Sequence, residues 1–204
     1  MKDPAETFHS LAEDRQSVRR FRDTPVARNV IERILQTAIQ APSAHNRQPW
    51  RFVVLTKRAD RELLAASMGE RLRADRSRDG DSLREIERDL ARSWMRITEA
   101  PVVILLCMTM EVMDHYGDAR RDGAERIMAV QSVAMAGENL LLAAHAEGLG
   151  ASWMCAPLFS GEEAQRAFDL PQAWEPQGLI LLGYPLEESR KRTRHGLHEV
   201  TRWR

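Results

Sequence analysis

Much of what would narrow this 204-residue chain's function at once is scarce or missing. There are two cysteines, Cys107 and Cys155, with neither metal-ligand spacing nor the density of a disulfide scaffold. Net charge is absent: thirty basic side chains balance thirty acidic ones, so no overall field favours nucleic acid or an anionic membrane, and no nucleic-acid module is recognisable. Long hydrophobic runs are missing too. The longest, Val102 to Met110, is too short to span a bilayer, and residues 1 to 14 lack the apolar segment of a secretory signal. No Gly-x-Ser-x-Gly, phosphate loop or dinucleotide fingerprint occurs, and no nucleophile or acid pair has convincing spacing. His195 and His198 are three apart without a third ligand, so no metal site is expected. What remains is a cytoplasmic protein whose partners are small molecules, with neither nucleic acid nor membrane among them.

With 43% hydrophobic and 29% charged residues, residues 1–204 suit one domain with one sizeable core. Val30, Ile31, Ile34, Leu35, Ala38 and Ile39 recur at helical spacing, and Thr24-Pro25 is expected to open a helix ending at Gln40, because Pro42 disfavours the α region at Ala41. Phe52 to Leu55 reads as a buried strand, and residues 58 to 75 as helix. From Glu70 to Glu99 eight arginines face eight acids, a neutral solvated surface, while Leu83, Ile86, Leu90, Trp94 and Ile97 give its second half an apolar stripe with Trp94 as core or lid. Val102 to Met108 is a strand, with Cys107 as core packing. Ala124 to Ala146, apolar nearly all round, is a central or subunit-contact helix capped by Gly148. A short strand after Gly150, a helix from Glu162 to Phe168 and a last strand from Gly178 to Gly183 complete the elements.

Three stretches stand out chemically. Between the first helix and the first strand, Ala41 to Trp50 reads Ala-Pro-Ser-Ala-His-Asn-Arg-Gln-Pro-Trp. Ser43 and Ala44 leave room for a ligand against the backbone, and Asn46 and Gln48 each carry a donor and an acceptor. The same residues would also serve a plain helix-to-strand connector. Arg15, Ser17 and Arg19, anchored by Val18 and Phe21, have the guanidinium density that suits a phosphate, or a solvated basic turn. Arg190 to Arg194 repeats that choice near the C-terminus. Together these features point to a phosphorylated cofactor that carries the chemistry itself.

The same residues resemble the flavin-dependent nitroreductase family, whose pattern runs Arg-x-Ser-x-Arg/Lys-x-Phe, then Pro-Ser-x-x-Asn-x-Gln-Pro-Trp, then Gly-Tyr-Pro before basic residues. All three occur here in that order, across about residues 15 to 204. The resemblance implies an α+β fold, a central, mostly antiparallel sheet flanked by helices in an intertwined homodimer with FMN at the interface. It implies that Arg15, Ser17 and Arg19, with Arg192 or Arg194, hold the phosphate and ribityl chain. Pro42, Ser43, Ala44, Asn46 and Gln48 would meet the flavin from the partner subunit, and Trp153, Met154, Cys155 and Ala156 would lie beside its ring. His45 and Tyr116 are candidate substrate contacts. NAD(P)H would donate hydride in a ping-pong cycle ending on an electron-poor small molecule.

Tyr116-Gly117-Asp118-Ala119-Arg120, Gly148-Leu149-Gly150 with Trp153, and Phe168-Asp169-Leu170-Pro171 with Trp174-Glu175-Pro176 carry a narrower resemblance. It is to the C-terminal flavin domain of the bifunctional deazaflavin-coenzyme glutamate ligase, and it implies a reductase of a dehydro precursor of that coenzyme. A flavin-binding protein without turnover is the remaining alternative.

Overall fold

Three segments rich in aliphatic residues and a fourth of small residues with a tryptophan pair into one sheet: β1 (Trp50–Leu55), β2 (Val102–Met108), β3 (Gly150–Met154, Gly-Ala-Ser-Trp-Met) and β4 (Glu175–Gly183), in the order β1-β2-β4-β3. The computed structural model describes residues 3–187 and 191–204, so Arg190 of the C-terminal basic cluster lies outside the described residues. Every pairing between these strands is antiparallel, with one register shift between Leu106 and Cys107. All seven residues of β2 are buried, because both faces of this inner strand are covered; its unbroken apolar run reflects that position.

One face of the sheet, with Val103, Leu105, Cys107, Leu179 and Leu181, packs on α3 (Arg58–Arg78), α4 (Leu83–Glu99) and α6 (Gly161–Ala167) through Leu64, Met68, Ile97 and Ala164. The other face, with Val102, Ile104, Ile180 and Leu182, packs on α2 (Arg28–Ala38) and α5 (Ala119–Ala146) through Ile31, Ile34, Ala38, Leu140 and Ala144. Each such Ile or Leu contributes about 1.5–3 kcal/mol by leaving water. The result is an α+β sandwich of helices, sheet and helices.

Local chemistry fixes the helix ends. Ser82 accepts a hydrogen bond from the Glu85 amide and donates to its carboxylate, starting α4. Gly148, at φ +75°, closes α5, with the Leu149 amide reaching back to the Ala144 carbonyl. α5 meets the length and composition of a membrane span, with mean hydropathy 1.4 over its most apolar stretch, yet half of that stretch is buried in the sandwich. A core helix needs the same apolarity.

Several expectations shift. α1 (Pro4–Asp14) is a helix that hydrophobic patterning could not show, since it buries nothing; Asp3 caps it and Pro4 opens it. α2 begins at Arg28, three residues beyond Pro25, because Val26 is drawn into the core while Ala27 stays extended. It ends at Ala38 and tapers through tight turns to Ala41. α3 runs three residues past 75, and β4 begins three residues before Gly178. The α4 stripe is half right: Ile86 and Ile97 are fully buried, while Leu83 and Trp94 are 72% and 41% exposed.

Candidate cofactor site

The motif residues fall at two opposite edges of the sheet. At the β3 edge, Ser17 forms a parallel bridge to Ala151, and the Val18 amide donates to the Ala151 carbonyl at 3.0 Å. This lays the segment around Ser17 along the edge. A Cβ on Gly150 would sit 2.6 Å from the Val18 side chain, so the close approach requires glycine there. Arg15 is mostly covered, with its Nε 3.7 Å from a Glu138 carboxylate oxygen on α5. Among the described residues Arg19, which is exposed, donates only to the Ser17 carbonyl, at 3.4 Å.

Beside Arg19 stands a residue that the sequence reading passed over as solvated surface. Arg96, on α4, is partly buried and has no carboxylate at ion-pair distance among the described residues; burial first, then Arg19 and Arg92, pull its pKa down. Two guanidiniums held near each other without a counter-charge form a ready anion site. Of the other arginines of that charged segment, all but the exposed Arg84 are paired with acids. Arg71 pairs with Asp75, Arg73 with Glu87, Arg76 with Asp81 and Asp89, and Arg92 with Asp89. What singles out Arg96 is its place one residue before the buried Ile97, a signal that needs the fold to read.

Ser152, on the same edge, is 1% exposed and its hydroxyl has no partner among the described residues. Strand alternation turns it to the face of Met154, which packs with Ala156 against the α3–α4 side of the core. The Trp153 ring takes the opposite face. It is wedged between α5 and β4, where a Cβ on Gly137 would lie 2.1 Å and one on Gly178 2.7 Å from the indole. Its Nε1 donates to the exposed Cys155 Sγ at 3.2 Å, so Trp153 fixes the turn from behind. Lys191, 2.6 Å from Asp14, brings the C-terminal basic segment to the end of α1 beside Arg15; Arg192 and Arg194 are exposed, and among the described residues Arg194 donates only to neighbouring carbonyls. A cavity of about 850 Å³ opens here between Arg15, Arg22, Leu141, His145 and Tyr184, but reaches neither the 153–156 turn nor the 42–48 loop.

At the β1 edge the backbone itself is unusual. His45, Asn46 and Gln48 have φ of 48°, 55° and 51°, three left-handed non-glycine residues in four. Such strain persists only where surroundings enforce it. Here the Ala44 amide donates to Ser132 Oγ at 3.3 Å and the Gln48 amide to Ser43 Oγ at 3.0 Å; Gln48 Nε2 reaches Asn46, and Arg47 pairs with Asp114. Pro42, His45, Asn46 and Gln48 are exposed, and Trp50 is buried beneath them. Tyr116, on the adjoining loop, is half exposed with the Arg121 guanidinium 4.7 Å over its ring.

β1 and β3 are the outer strands, three spacings or about 14 Å apart. The loop entering β1 and the turn leaving β3 share one end of the sheet.

Residues 12–184 match the Nitroreductase family. The chain is 31% identical over 177 residues to a provisionally named NADH dehydrogenase/NAD(P)H nitroreductase of Methanothermobacter thermautotrophicus, covering 85% of this chain and 74% of that protein. It is 29% identical to an NADH dehydrogenase of Thermus thermophilus, covering 93% and 92% of the two chains. Among solved structures, a provisionally named nitroreductase of Desulfovibrio desulfuricans in complex with FMN superposes with a TM-score of 0.74 at 25% identity, over 98% of this chain and 96% of that one. With the match spanning most of its length, the chain belongs to the nitroreductase family.

Proposed function

We propose that the protein is an FMN-dependent NAD(P)H oxidoreductase acting as a homodimer. The observation that carries this is the unsatisfied chemistry of the β3 edge: among the described residues Arg19 and Arg96 have no acid at ion-pair distance and the buried Ser152 hydroxyl has no partner. These residues fit an anionic, hydrogen-bonding cofactor. FMN, when bound, supplies the redox chemistry, taking hydride from NAD(P)H and passing it to an electron-poor small molecule.

The chain's own residues bind and orient. Arg15, Ser17, Arg192 and Arg194 would hold the phosphate end, while Arg19 and Arg96 would supply positive charge to an anionic cofactor. Met154 and Ala156 would give the ring an apolar floor, and Trp153 keeps that turn in place from the far side of the strand. The strained 42–48 loop would supply the opposite wall. Because it lies at the far edge of its own sheet, the loop is free to serve the site of a second copy. α5 offers the contact, with Ile127, Val130 and Met135 exposed at 59%, 40% and 39%.

The test is direct. The purified protein should be yellow, or become so with added FMN, bleach anaerobically with NADH or NADPH, and run as a dimer. A colourless protein that takes up no FMN sinks the reading. A yellow protein that neither nucleotide bleaches is a flavin-binding protein without turnover. Full FMN affinity in a monomer removes the two-chain site. Reduction of a dehydro precursor of the deazaflavin coenzyme is the competing activity; arginines of the 71–96 segment would have to meet that substrate's acidic tail, and Arg71, Arg73 and Arg76 are already paired with acids of this chain.

A further inference from the structure

Arg61 is a charge that the cofactor reading leaves unused. It stands one turn into α3, is 8% exposed, and has no acid at ion-pair distance among the described residues. Its Nη1 donates to the Thr56 carbonyl at 2.8 Å and to the Pro101 carbonyl at 2.9 Å, which ties the chain just past β1 to the chain just before β2. Those bonds hold the side chain but leave its charge without a counter-ion. Nε is sealed without a partner, whereas Nη2 makes no hydrogen bond among the described residues and is not sealed. A buried guanidinium on these terms is costly, and its spare donors call for an acceptor.

The space beside it supplies more than one charge. Arg61 lines a cavity of about 520 Å³ at the end of the sheet opposite the 42–48 loop and the 153–156 turn, and none of the residues assigned to the cofactor lines it. α3 starts at this cavity. No side chain caps the helix at Lys57, and Thr56 and Arg58, on either side of that position, belong to the wall. The leading amides and positive dipole end of a helix favour a carboxylate. Arg58 is itself paired with Glu62 at 2.8 Å. Asp23 and Glu99, both exposed, line the same cavity and make no ion pair among the described residues. They repel a plain anion and attract a cation. The buried Phe21, Val26 and Val102 complete the wall with apolar surface.

We propose that this cavity binds a free α-amino acid with an apolar side chain, its carboxylate on Arg61 and the start of α3, its ammonium on Asp23 and Glu99. A zwitterion answers both charges of the wall, which a plain anion or cation does not. Because two backbone carbonyls already hold Arg61, it meets the carboxylate with little left to order. The amino-acid side chain lies against Phe21, Val26 and Val102.

The experiment is an NMR titration of the full chain with L-leucine, L-phenylalanine and two truncated probes, leucinamide without the carboxylate and isocaproate without the ammonium. At least one of the two amino acids is expected to bind with a dissociation constant of about 1 mM or tighter, and both truncated probes roughly tenfold more weakly or worse. Arg61→Met should abolish leucine binding. Asp23→Asn and Glu99→Gln, at exposed positions that leave the fold intact, should each weaken leucine roughly three- to tenfold while isocaproate binds as before or more tightly. The rim variants therefore decide the matter even where Arg61→Met does not fold. No saturable binding of either amino acid, isocaproate as tight as leucine, or leucine affinity untouched by both rim variants overturns the proposal and leaves Arg61 as a clamp between β1 and β2.

Discussion

The two edges of the sheet solve opposite problems. At the β1 edge the backbone is strained and its polar groups are satisfied: three left-handed residues are tied down by Ser43, Ser132 and Asn46. At the β3 edge the backbone is relaxed, extended and ladder-paired, while the side chains are left wanting. One edge is shaped by conformation and the other by charge. A cofactor with a flat polar ring and an anionic tail needs both, which is why neither edge alone declares a site.

The sharpest way to break this comparison is to remove the charge. Arg19→Ala and Arg96→Ala should each weaken FMN binding by about 1.5–3 kcal/mol, the value of a charge-assisted hydrogen bond, or roughly 10- to 150-fold by titration. Arg15→Ala and Arg194→Ala are expected to act in the same range through the phosphate. Equal affinity in all four would make the β3 edge an ordinary basic surface. Next in size is the wedge behind that edge. Gly137→Ala places a methyl inside the Trp153 ring volume, and overpacking of that kind costs about 1–3 kcal/mol, read as a lower melting temperature. Gly123→Ala, on the same helix with open space around it, should raise stability by a few tenths to about 1 kcal/mol.

Smaller, and of opposite sign, is the effect expected at the strained edge. His45→Gly relieves a left-handed conformation that costs a non-glycine residue about 1 kcal/mol or more, so the cofactor-free protein should melt higher. FMN affinity should fall in the same variant, because the loop loses its fixed shape. A rise in both would mean that the strain serves nothing at this site.

How much of this was legible in the sequence depends on range. The strands at 102–108 and 178–183, the α5 core helix with its Gly148 cap, and the Arg15-Ser17-Arg19 and Pro42–Gln48 motifs are all local patterns. Burial periodicity or residue type reveals them directly. α1 escaped because it is held by a cap and a proline and buries nothing. Arg96 escaped because seven neighbouring arginines look the same until folding pairs most of them with acids. Trp153 was visible as a neighbour of the site, but the side of the strand its ring takes depends on Gly137 and Gly178, far away in sequence. Arg61 reads as one more charge at the start of a helix until its burial is known.

The two cysteines sharpen the contrast between the site edge and the interior at the smallest scale. Burial pushes the Cys107 thiol up to about 12 from an ordinary 9.0, so it stays protonated at neutral pH and resists alkylation while the protein is folded. The folded pKa is raised, so the associated stability is complete below about pH 9 and is lost as pH climbs toward 12, where the unfolded chain ionises first. Cys155 is exposed at the end of β3, in the turn assigned to the flavin ring. Near pH 8 it should therefore account for all the labelling of the native protein, and saturating FMN should slow that labelling severalfold by covering the turn. Labelling of Cys155 at the same rate with and without FMN, in a protein that demonstrably binds it, would move the ring off the 153–156 turn and leave the contact of the β3 edge with the cofactor to the arginines and Ser17.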